Sequence, residues 1–340
     1  MTTRDARGDL LNLILGFQVS QAIHVAATFG LADHLASGPR TSGELAAVTG
    51  THPPTLYRLM RALAAAGILH ETEDRCFELT AVGQLLRTDV AGTQAPIAQL
   101  VGRTSYWQAW GNLLHAVRSG DTAFNHAHGT GVWEHRANNP EEAGIFDRAM
   151  ASLTDGFGAA VIAACDFSRF ANVVDVGGGN GTFLADLLAA HPRVQGALFD
   201  QPHVIAWANA SLASRGLSRR CQTVAGDFFL RVPEGGDAYL LKSILHDWDD
   251  AAAIDILRAC HRAMKPDSRL LVFEHVVGPP NSGPRGKFAD LNMLVITGGR
   301  ERSREEFGSL FGQAGFRLIS VTPTSAPLCI IEGMPDNFSI

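Results

Sequence analysis

Cysteine is sparse in this sequence and never stands in a metal-binding spacing. The 340 residues include five cysteines, an odd number, and no two have the C-x-x-C spacing of zinc and redox motifs. Such a scattered set does not make a disulfide framework either, and those frameworks belong to oxidising compartments. We therefore expect reduced thiols, a cytoplasmic protein and no bound metal. The cysteines are Cys76, Cys165, Cys221, Cys260 and Cys329.

The sequence also lacks an excess of positive charge. Its 28 basic residues face 34 acidic ones, which gives a formal net charge of −6. A negative chain has no general attraction for nucleic acid or anionic lipid, so we predict neither as a partner. Only three of the basic residues are lysines, so a lysine inside a motif draws attention. They are Lys242, Lys265 and Lys287.

Long hydrophobic runs are missing as well. A membrane-spanning helix takes about 20 consecutive apolar residues, and the apolar run Leu10–Leu15 already contains Asn12. Residues 1–9 are polar with mixed charges and do not have the architecture of a signal peptide. The sequence therefore predicts no membrane segment.

A glycine-rich turn is the most informative feature that is present. The apolar segment that ends at Val176 runs directly into glycines at alternate positions, and a helical pattern follows over 182–190. Such a turn lets a ligand approach the backbone, and the next helix offers free N–H groups. The dinucleotide pattern G-x-G-x-x-G is broken, because Thr182 takes its last place. The turn predicts a ligand site. The alternative is that it is only a tight connection between a strand and a helix.

Seven short apolar segments predict strands, and helical patterns separate the first five. That alternation is typical of a mostly parallel, doubly wound sheet. Only a turn at 323–326 separates the last two, so we expect an antiparallel hairpin at one edge. The predicted fold class is therefore α/β, with a Rossmann-like sheet of seven strands. The predicted strands are 172–177, 195–200, 221–225, 237–242, 269–275, 316–322 and 327–332.

The N-terminal region predicts a small helical domain with a winged-helix outline. Residues 10–29 have the pattern of one helix that is apolar nearly all round, and a second subunit could bury it. Thr41 and Glu44 have capping-box spacing for a short helix. A second helix is expected at about 55–66, and a hairpin is expected over 68–80.

A winged helix suggests DNA binding, and the charge of this region argues against it. Residues 1–100 contain seven arginines, no lysine and nine acids, which cannot supply the phosphate attraction that dominates DNA affinity. We therefore predict a dimerisation domain at 1–100. A helical linker that contributes to the substrate pocket is predicted at 101–157, and a catalytic domain at 158–340.

Acidic residues follow two of the predicted strands. Asp200 ends the second strand of the catalytic domain, where a carboxylate can accept both hydroxyls of a ribose. Its alternative role is a turn cap before Pro202. Asp227 follows the third strand, where it could bind an adenine amino group while Phe228 covers the ring. Its alternative role is an exposed loop acid.

Five segments together resemble one family. The segment 175–181 resembles motif I of the Rossmann-like S-adenosylmethionine (SAM) methyltransferases. The segments 198–204, 226–229, 240–250 and 298–302 resemble the small-molecule O-methyltransferases of plants and bacteria, related to caffeate and hydroxyindole O-methyltransferases. The resemblance includes the N-terminal dimerisation domain. It implies a homodimer that transfers methyl from SAM to a hydroxyl of a small aromatic secondary metabolite, phenolic or polyketide-type, and releases S-adenosylhomocysteine (SAH).

The resemblance also implies roles at the reaction centre. His246 matches the family's general base, and histidine titrates in a suitable range; the alternative is a cap of the next helix. Glu274 and Glu301 are implied to flank the imidazole; one of them would fix its tautomer, and both would stabilise its charged form. Asp247 either contacts the acceptor hydroxyl or caps the helix near Trp248.

Two further residue sets follow from the resemblance. The implied cofactor-binding residues are Asp175, Gly177, Gly179, Asp200, Asp227, Phe228 and Lys242. The implied substrate-pocket residues are Phe146, Met150, Asn292, Met293 and Trp107. Methionine and aromatic residues are as often simple core. Leu153 stands where some plant members have a histidine, so the resemblance gives little support to a phenylpropanoid substrate.

Three other functions fit parts of the sequence. A relative of the same fold could use SAM for decarboxylation or hydroxylation, which the presence of His246 with both glutamates disfavours. The acidic N-terminal region disfavours a winged-helix regulator, and the broken dinucleotide pattern disfavours a dehydrogenase. His126 and His128 suggest a metal, but no further residue completes a recognisable ligand set.

Overall fold

The computed structural model describes residues 5–336, apart from the side chains of residues 154–156. The described residues form two compact units. The N-terminal unit comprises 5–107 with 139–153, and the catalytic unit comprises 108–138 with 154–336. The three-part division that we predict from the sequence stays a prediction.

The N-terminal unit is a set of helices with one small sheet. Its helices are α1 (Ala6–Ile14), α2 (Gly16–Thr28), α3 (Leu31–Leu35), α4 (Ser42–Thr49), α5 (Pro53–Ala65), α6 (Ala95–Val101) and α7 (Thr104–Gly111), the last of which extends into the catalytic unit. Its strands are β1 (Arg40–Thr41), β2 (Leu69–Glu71) and β3 (Cys76–Leu79), in the antiparallel order β1-β3-β2. This is the winged-helix outline that the sequence predicts.

Local sequence signals explain the helices of this outline. The capping box at α4 is present, since Oγ1 of Thr41 accepts from the N–H of Glu44 while Oε2 of Glu44 accepts from the N–H of Thr41. Helix α5 buries the apolar side chains Leu56, Met60 and Leu63, which recur at helical spacing on one face.

The prediction of one continuous helix over 10–29 is wrong. The chain forms α1 and α2 instead, with an angle of 41° between them. The break falls at Leu15 and Gly16, where glycine lowers the preference for a helix. Large apolar side chains of both helices are exposed in the single chain, namely Leu10, Leu11, Leu13, Ile14 and Phe17.

No single helix within the described part of the chain is long and apolar enough to span a membrane. Helices α1 and α2 pass a test of length and composition only when taken together across their bend.

The catalytic unit is built on a seven-stranded sheet. Its strands are β4 (Asn172–Val176), β5 (Gln195–Asp200), β6 (Cys221–Ala225), β7 (Ala238–Lys242), β8 (Arg269–Glu274), β9 (Phe316–Pro323) and β10 (Cys329–Pro335). Their order is β6-β5-β4-β7-β8-β10-β9. The first five are parallel, and β10 is antiparallel to both β8 and β9. The predicted α/β fold with an antiparallel edge hairpin is confirmed.

Helices cover the sheet on both faces, as a parallel sheet requires. Because successive strand residues point to opposite faces, Val173 and Val174 belong to separate buried clusters. Val173 belongs to the cluster that contains Phe183 and Leu187, and Val174 belongs to the cluster that contains Ile256. The helices of this unit are α8 (Leu113–Ser119), α9 (Ala123–His128), α10 (Val132–Ala137), α11 (Pro140–Ala164, shared with the N-terminal unit), α12 (Thr182–Ala190), α13 (Pro202–Ser214), α14 (Asp250–Ala263), α15 (Pro284–Ile296) and α16 (Arg304–Gln313).

The sheet order places four strand ends together. Strand β4 lies between β5 and β7, and the chain crosses from one half of the sheet to the other beside it. Ligands of doubly wound sheets bind at such a point, beyond the carboxyl ends of the strands. The glycine turn follows β4, and the predicted acidic residues and histidine follow β5, β6 and β7.

Candidate active site

The turn between β4 and α12 requires glycine for two reasons. Gly177, Gly179 and Gly181 have left-handed backbones, with φ of 71°, 61° and 76°, which glycine adopts without steric cost. A Cβ on Gly178 would lie 2.5 Å from Oδ2 of Asp175. The turn therefore presents bare backbone at the carboxyl end of β4.

The carboxylate of Asp175 is buried directly beneath this turn. Within the described part of the chain, neither of its oxygens has a hydrogen-bond partner. Burial raises the pKa of Asp175 to about 7, although the positive charge of Lys242 acts in the opposite direction. Burial also lowers the pKa of Lys242. Because buried carboxylates are normally paired, this site fits a ligand that brings a positive charge or a hydrogen-bond donor.

Asp200 is in contact with the same turn. Its Oδ2 accepts from the N–H of Gly179 at 2.8 Å, and its Oδ1 accepts from the N–H of Gln201 at 2.7 Å. Burial raises the pKa of Asp200, while these two bonds act to lower it. The carboxylate that we predict to bind ribose hydroxyls therefore also braces the glycine turn. Sequence spacing gave no sign of this contact.

Asp227 and Phe228 lie after β6. Oδ1 of Asp227 accepts from the N–H of Phe229 at 2.9 Å, so this exposed side chain fixes its own loop. The ring of Phe228 packs edge-on against Trp248 and lies near Gly177. Their roles at an adenine ring stay a prediction.

His246 lies in a 3-10 turn, Leu245–Asp247, just beyond β7. Its Nδ1 is 2.9 Å from Oε1 of Glu301, and its Nε2 is 4.0 Å from Oδ1 of Asp247. Burial acts to lower the pKa of the imidazole, but the negative charges of Asp247, Glu301 and Glu274 outweigh it and raise the pKa to about 10. The site therefore makes His246 unusually basic.

Glu274 holds the backbone of the turn that carries His246. Its Oε1 accepts three main-chain N–H groups, those of Ile244, Leu245 and His246, at 3.2, 2.6 and 3.1 Å. Its negative charge still acts on the imidazole, and burial raises the pKa of Glu274 to about 7. Glu301 binds the imidazole directly, whereas Glu274 binds the backbone that carries it.

Asp247 is not the cap of the next helix. That cap is Asp249, whose Oδ1 accepts from the N–H of Ala252 at 2.8 Å. Burial raises the pKa of Asp247, and the positive charges of His246 and Arg136 act to lower it. The other predicted alternative, contact with the acceptor hydroxyl, stays a prediction.

The predicted substrate-pocket residues lie in both units. In the catalytic unit, Asn292 and Met293 belong to α15, and Oδ1 of Asn292 accepts from Nε1 of Trp110 at 3.2 Å. In the N-terminal unit, Phe146 and Met150 are half-buried residues of α11, and Trp107 packs edge-on against Phe17. Their roles toward a substrate stay a prediction.

The sequence reasoning missed two arginines of this site. Arg302 is buried, and its guanidinium binds the turn that carries His246. The sequence could have indicated Arg302, because this residue ends the 298–302 segment that contains Glu301. Arg136 is buried on α10, with its guanidinium 5.0 Å from the ring of Trp133. No motif in the sequence pointed to Arg136.

The site combines a doubly wound sheet, a bare glycine turn, acidic residues at the strand ends and the half-buried His246. This combination is typical of an enzyme with a nucleoside-containing cofactor. Comparison with known families narrows this class. Residues 110–317 match the O-methyltransferase domain, and residues 11–89 match the O-methyltransferase dimerisation domain. The chain belongs to the O-methyltransferase family. This confirms the predicted enzyme class, a SAM-dependent O-methyltransferase, and with it the cofactor.

Several known proteins are similar over nearly their whole length. A phenazine O-methyltransferase from Lysobacter antibioticus is 43% identical over 326 residues, which cover 96% of this chain and 95% of that protein. An aclacinomycin 10-hydroxylase from Streptomyces purpurascens is 36% identical over 338 residues, which cover 98% of this chain and 89% of that protein. The family around this chain therefore acts on aromatic secondary metabolites.

Solved structures agree with this assignment. The crystal structure of LaPhzM has a TM-score of 0.94 and 42% identity, and the match covers 97% of this chain and 99% of that one. An O-methyltransferase of neocarzinostatin biosynthesis has a TM-score of 0.82 and 34% identity, covering 93% of this chain and 96% of that one. That protein was solved in complex with SAM and 2-hydroxy-5-methyl naphthoic acid.

Proposed function

We propose that the protein transfers a methyl group from SAM to a hydroxyl of a small aromatic acceptor, with His246 as the general base. One observation carries this proposal. Nδ1 of His246 is held by Glu301 at 2.9 Å, while among the described residues Nε2 has no hydrogen-bond partner and lies 4.0 Å from Asp247. A ring with one nitrogen fixed and the other available is the arrangement that a base requires.

The residues at the strand ends fit the cofactor. SAM supplies an activated methyl group, so the protein has to align the acceptor oxygen and remove its proton. The bare backbone at Gly179 allows close approach, and the unpartnered carboxylate of Asp175 suits a cationic group of the cofactor. Asp200, Asp227 and Phe228 would hold the nucleoside.

The surroundings of His246 suit it to a phenolic proton. Nε2 takes the proton, and the charges of Glu301 and Asp247 stabilise the imidazolium that results. A phenol has an ordinary pKa of about 10, and His246 is raised to about the same value. Proton transfer from the phenol to a neutral His246 is therefore nearly balanced in free energy, and only the fraction of enzyme whose imidazole is neutral can carry it out.

The raised pKa of His246 predicts the pH dependence of the reaction. Below its pKa the imidazole is protonated and cannot accept a proton, so kcat/KM for the acceptor should rise with pH well above the ordinary value of about 6.5. Glu301→Gln removes a charge that favours the imidazolium, so this rise should move to lower pH. Profiles of both proteins with one acceptor measure the difference, since the acceptor's own ionisation is common to both. An unmoved profile would contradict the role of Glu301.

The acceptor hydroxyl can be tested with isotope-labelled SAM. We expect the labelled methyl to appear on a hydroxyl of hydroxynaphthoates, hydroxyphenazines or simpler phenols, detected by mass spectrometry. The methyl ether of each acceptor is its matched control, because its hydroxyl is blocked. The corresponding aryl amines test for N-methylation. Label on amines alone would overturn the proposal.

A hydroxylase is the second candidate, because one similar protein is an aclacinomycin 10-hydroxylase. The same assay separates the two functions. A hydroxylase would give a product that gains oxygen and carries no label.

We also propose a homodimer that forms through the N-terminal domain. Support comes from the match of residues 11–89 to a dimerisation domain and from the exposed apolar side chains of α1 and α2. Burial of such a surface is favourable by about 25 cal/mol per Å². Sedimentation equilibrium should give twice the chain mass of 36.3 kDa, and a monomer at micromolar concentration would refute this.

A further inference from the structure

We infer that Arg302 is a positioning residue that fixes the turn carrying His246. The inference rests on the proposed function, because it matters to the reaction only if His246 is the base. Arg302 is 1% exposed, which is rare for an arginine unless its donors are all used. Its partners therefore show what the side chain does.

The guanidinium of Arg302 binds main-chain carbonyls on both sides of His246. Its Nη1 donates to the carbonyl of Leu245 and its Nη2 donates to the carbonyl of Trp248, both at 3.0 Å. Its Nε donates to Oδ1 of Asp250 at 2.9 Å. A rigid planar fork can reach two carbonyls at a fixed separation, whereas the single ammonium of lysine cannot.

Glu274 binds the main-chain N–H groups of the same turn. Its Oε1 accepts the N–H groups of Ile244, Leu245 and His246. A carboxylate thus binds the donors of the turn while a guanidinium binds its acceptors. Charge-assisted bonds of this kind are roughly twice as strong as neutral ones, so the backbone of the turn is fixed from two sides.

The chain connects this clamp to the imidazole itself. Arg302 directly follows Glu301, whose carboxylate binds Nδ1 of His246. The main chain of Arg302 pairs with that of Val276, and its carbonyl accepts from the N–H of Val277 at 2.9 Å. These bonds attach the segment to the chain just beyond β8. One segment therefore sets both the backbone and the ring of the base.

The position of Nε2 depends on how Arg302 and Glu274 hold the turn. We do not expect the affinity for SAM to depend on it. Most of the predicted cofactor residues follow β4, β5 and β6, and the one on β7, Lys242, precedes the turn that Arg302 holds. Loss of the clamp should lower kcat and leave the affinity for SAH nearly unchanged. A residue that serves only the fold would lower both together.

The experiment compares Arg302→Lys and Arg302→Gln with Arg300→Gln. Arg300 is the matched control, since it ion-pairs with the same Asp250 but is about half exposed. We expect both Arg302 variants to lose about 100-fold or more in kcat, with the acceptor KM and SAH affinity within a few-fold of wild type. Lysine should restore little of the loss, because it keeps the charge but not the fork. Arg300→Gln should resemble wild type.

Three outcomes would overturn the inference. Arg302→Lys could be as active as Arg300→Gln, its SAH affinity could fall in parallel with kcat, or both Arg302 variants could fail to fold by circular dichroism. The proposed base is tested separately by His246→Gln. Turnover in that variant refutes the base, whereas an inactive His246→Gln beside a fully active Arg302→Lys refutes only the positioning role.

Discussion

His246→Gln should abolish methyl transfer and leave SAH affinity near that of wild type. Glutamine has a similar size and can still contact Glu301, but its amide cannot take a proton from the acceptor. A positioned general base contributes about 10²–10⁴-fold, so the loss should reach that range. Single-turnover transfer from labelled SAM measures the reaction, and calorimetry measures SAH binding.

His275→Gln is the matched control for this substitution. His275 follows β8 as His246 follows β7, and burial lowers its pKa whereas that of His246 is raised. We expect this variant to remain active. If it lost transfer while His246→Gln kept it, the base would be His275.

Asp200→Ala should do the reverse of His246→Gln, because it should weaken SAH binding before it affects methyl transfer. It removes the acceptor that braces Gly179 and the carboxylate predicted for the ribose, so SAH affinity should fall first. Bonds to charged groups contribute about 1.5–3 kcal/mol, equivalent to roughly 10- to 100-fold in affinity. If His246→Gln and Asp200→Ala lost SAH affinity equally, cofactor binding and proton removal could not be assigned to different residues.

The sheet could be predicted from the sequence because its signals are local. Apolar runs bounded by turn residues located all seven strands to within about three residues of those observed, such as 195–200 for β5. The short turn before the last strand was sufficient to predict the antiparallel edge. The single helix over 10–29 was wrong because apolar content does not reveal a break at Leu15 and Gly16.

The site was predictable as a set of residues and less so as a set of contacts. Strand ends locate Asp200, Glu274 and His246 near one edge of the sheet, since parallel strands end together. Which atoms a carboxylate meets depends on rotamers and on loops distant in sequence. The sequence therefore did not predict the hydrogen bonds of Glu274 to the backbone of the turn or that of Asp200 to the N–H of Gly179. No spacing of residues in the sequence predicts either hydrogen bond.

Gly299→Ala should also abolish most of the activity, through the backbone alone. A Cβ at this position would lie 2.0 Å from the carbonyl oxygen of His246, 2.4 Å from the carbonyl carbon of Asp247 and 2.6 Å from the nitrogen of Trp248. These are main-chain atoms and cannot rotate away as a side chain can, so the turn must shift. A displacement near 1 Å costs about 100-fold in rate, and forcing a methyl into packed space costs about 1–3 kcal/mol of stability.

Gly312→Ala is the control for this substitution, since a Cβ there would meet no atom within 4 Å and alanine favours a helix. Activity and thermal unfolding should be measured for Gly299→Ala and Gly312→Ala. Full activity in Gly299→Ala would show that the turn can move without harm, and it would weaken the case for a clamp by Glu274 and Arg302. A selective loss in Gly299→Ala, with SAH still bound, would show that the reaction depends on where the backbone holds His246. In that case the absence of a side chain at Gly299 keeps open the space in which the turn of His246 is held.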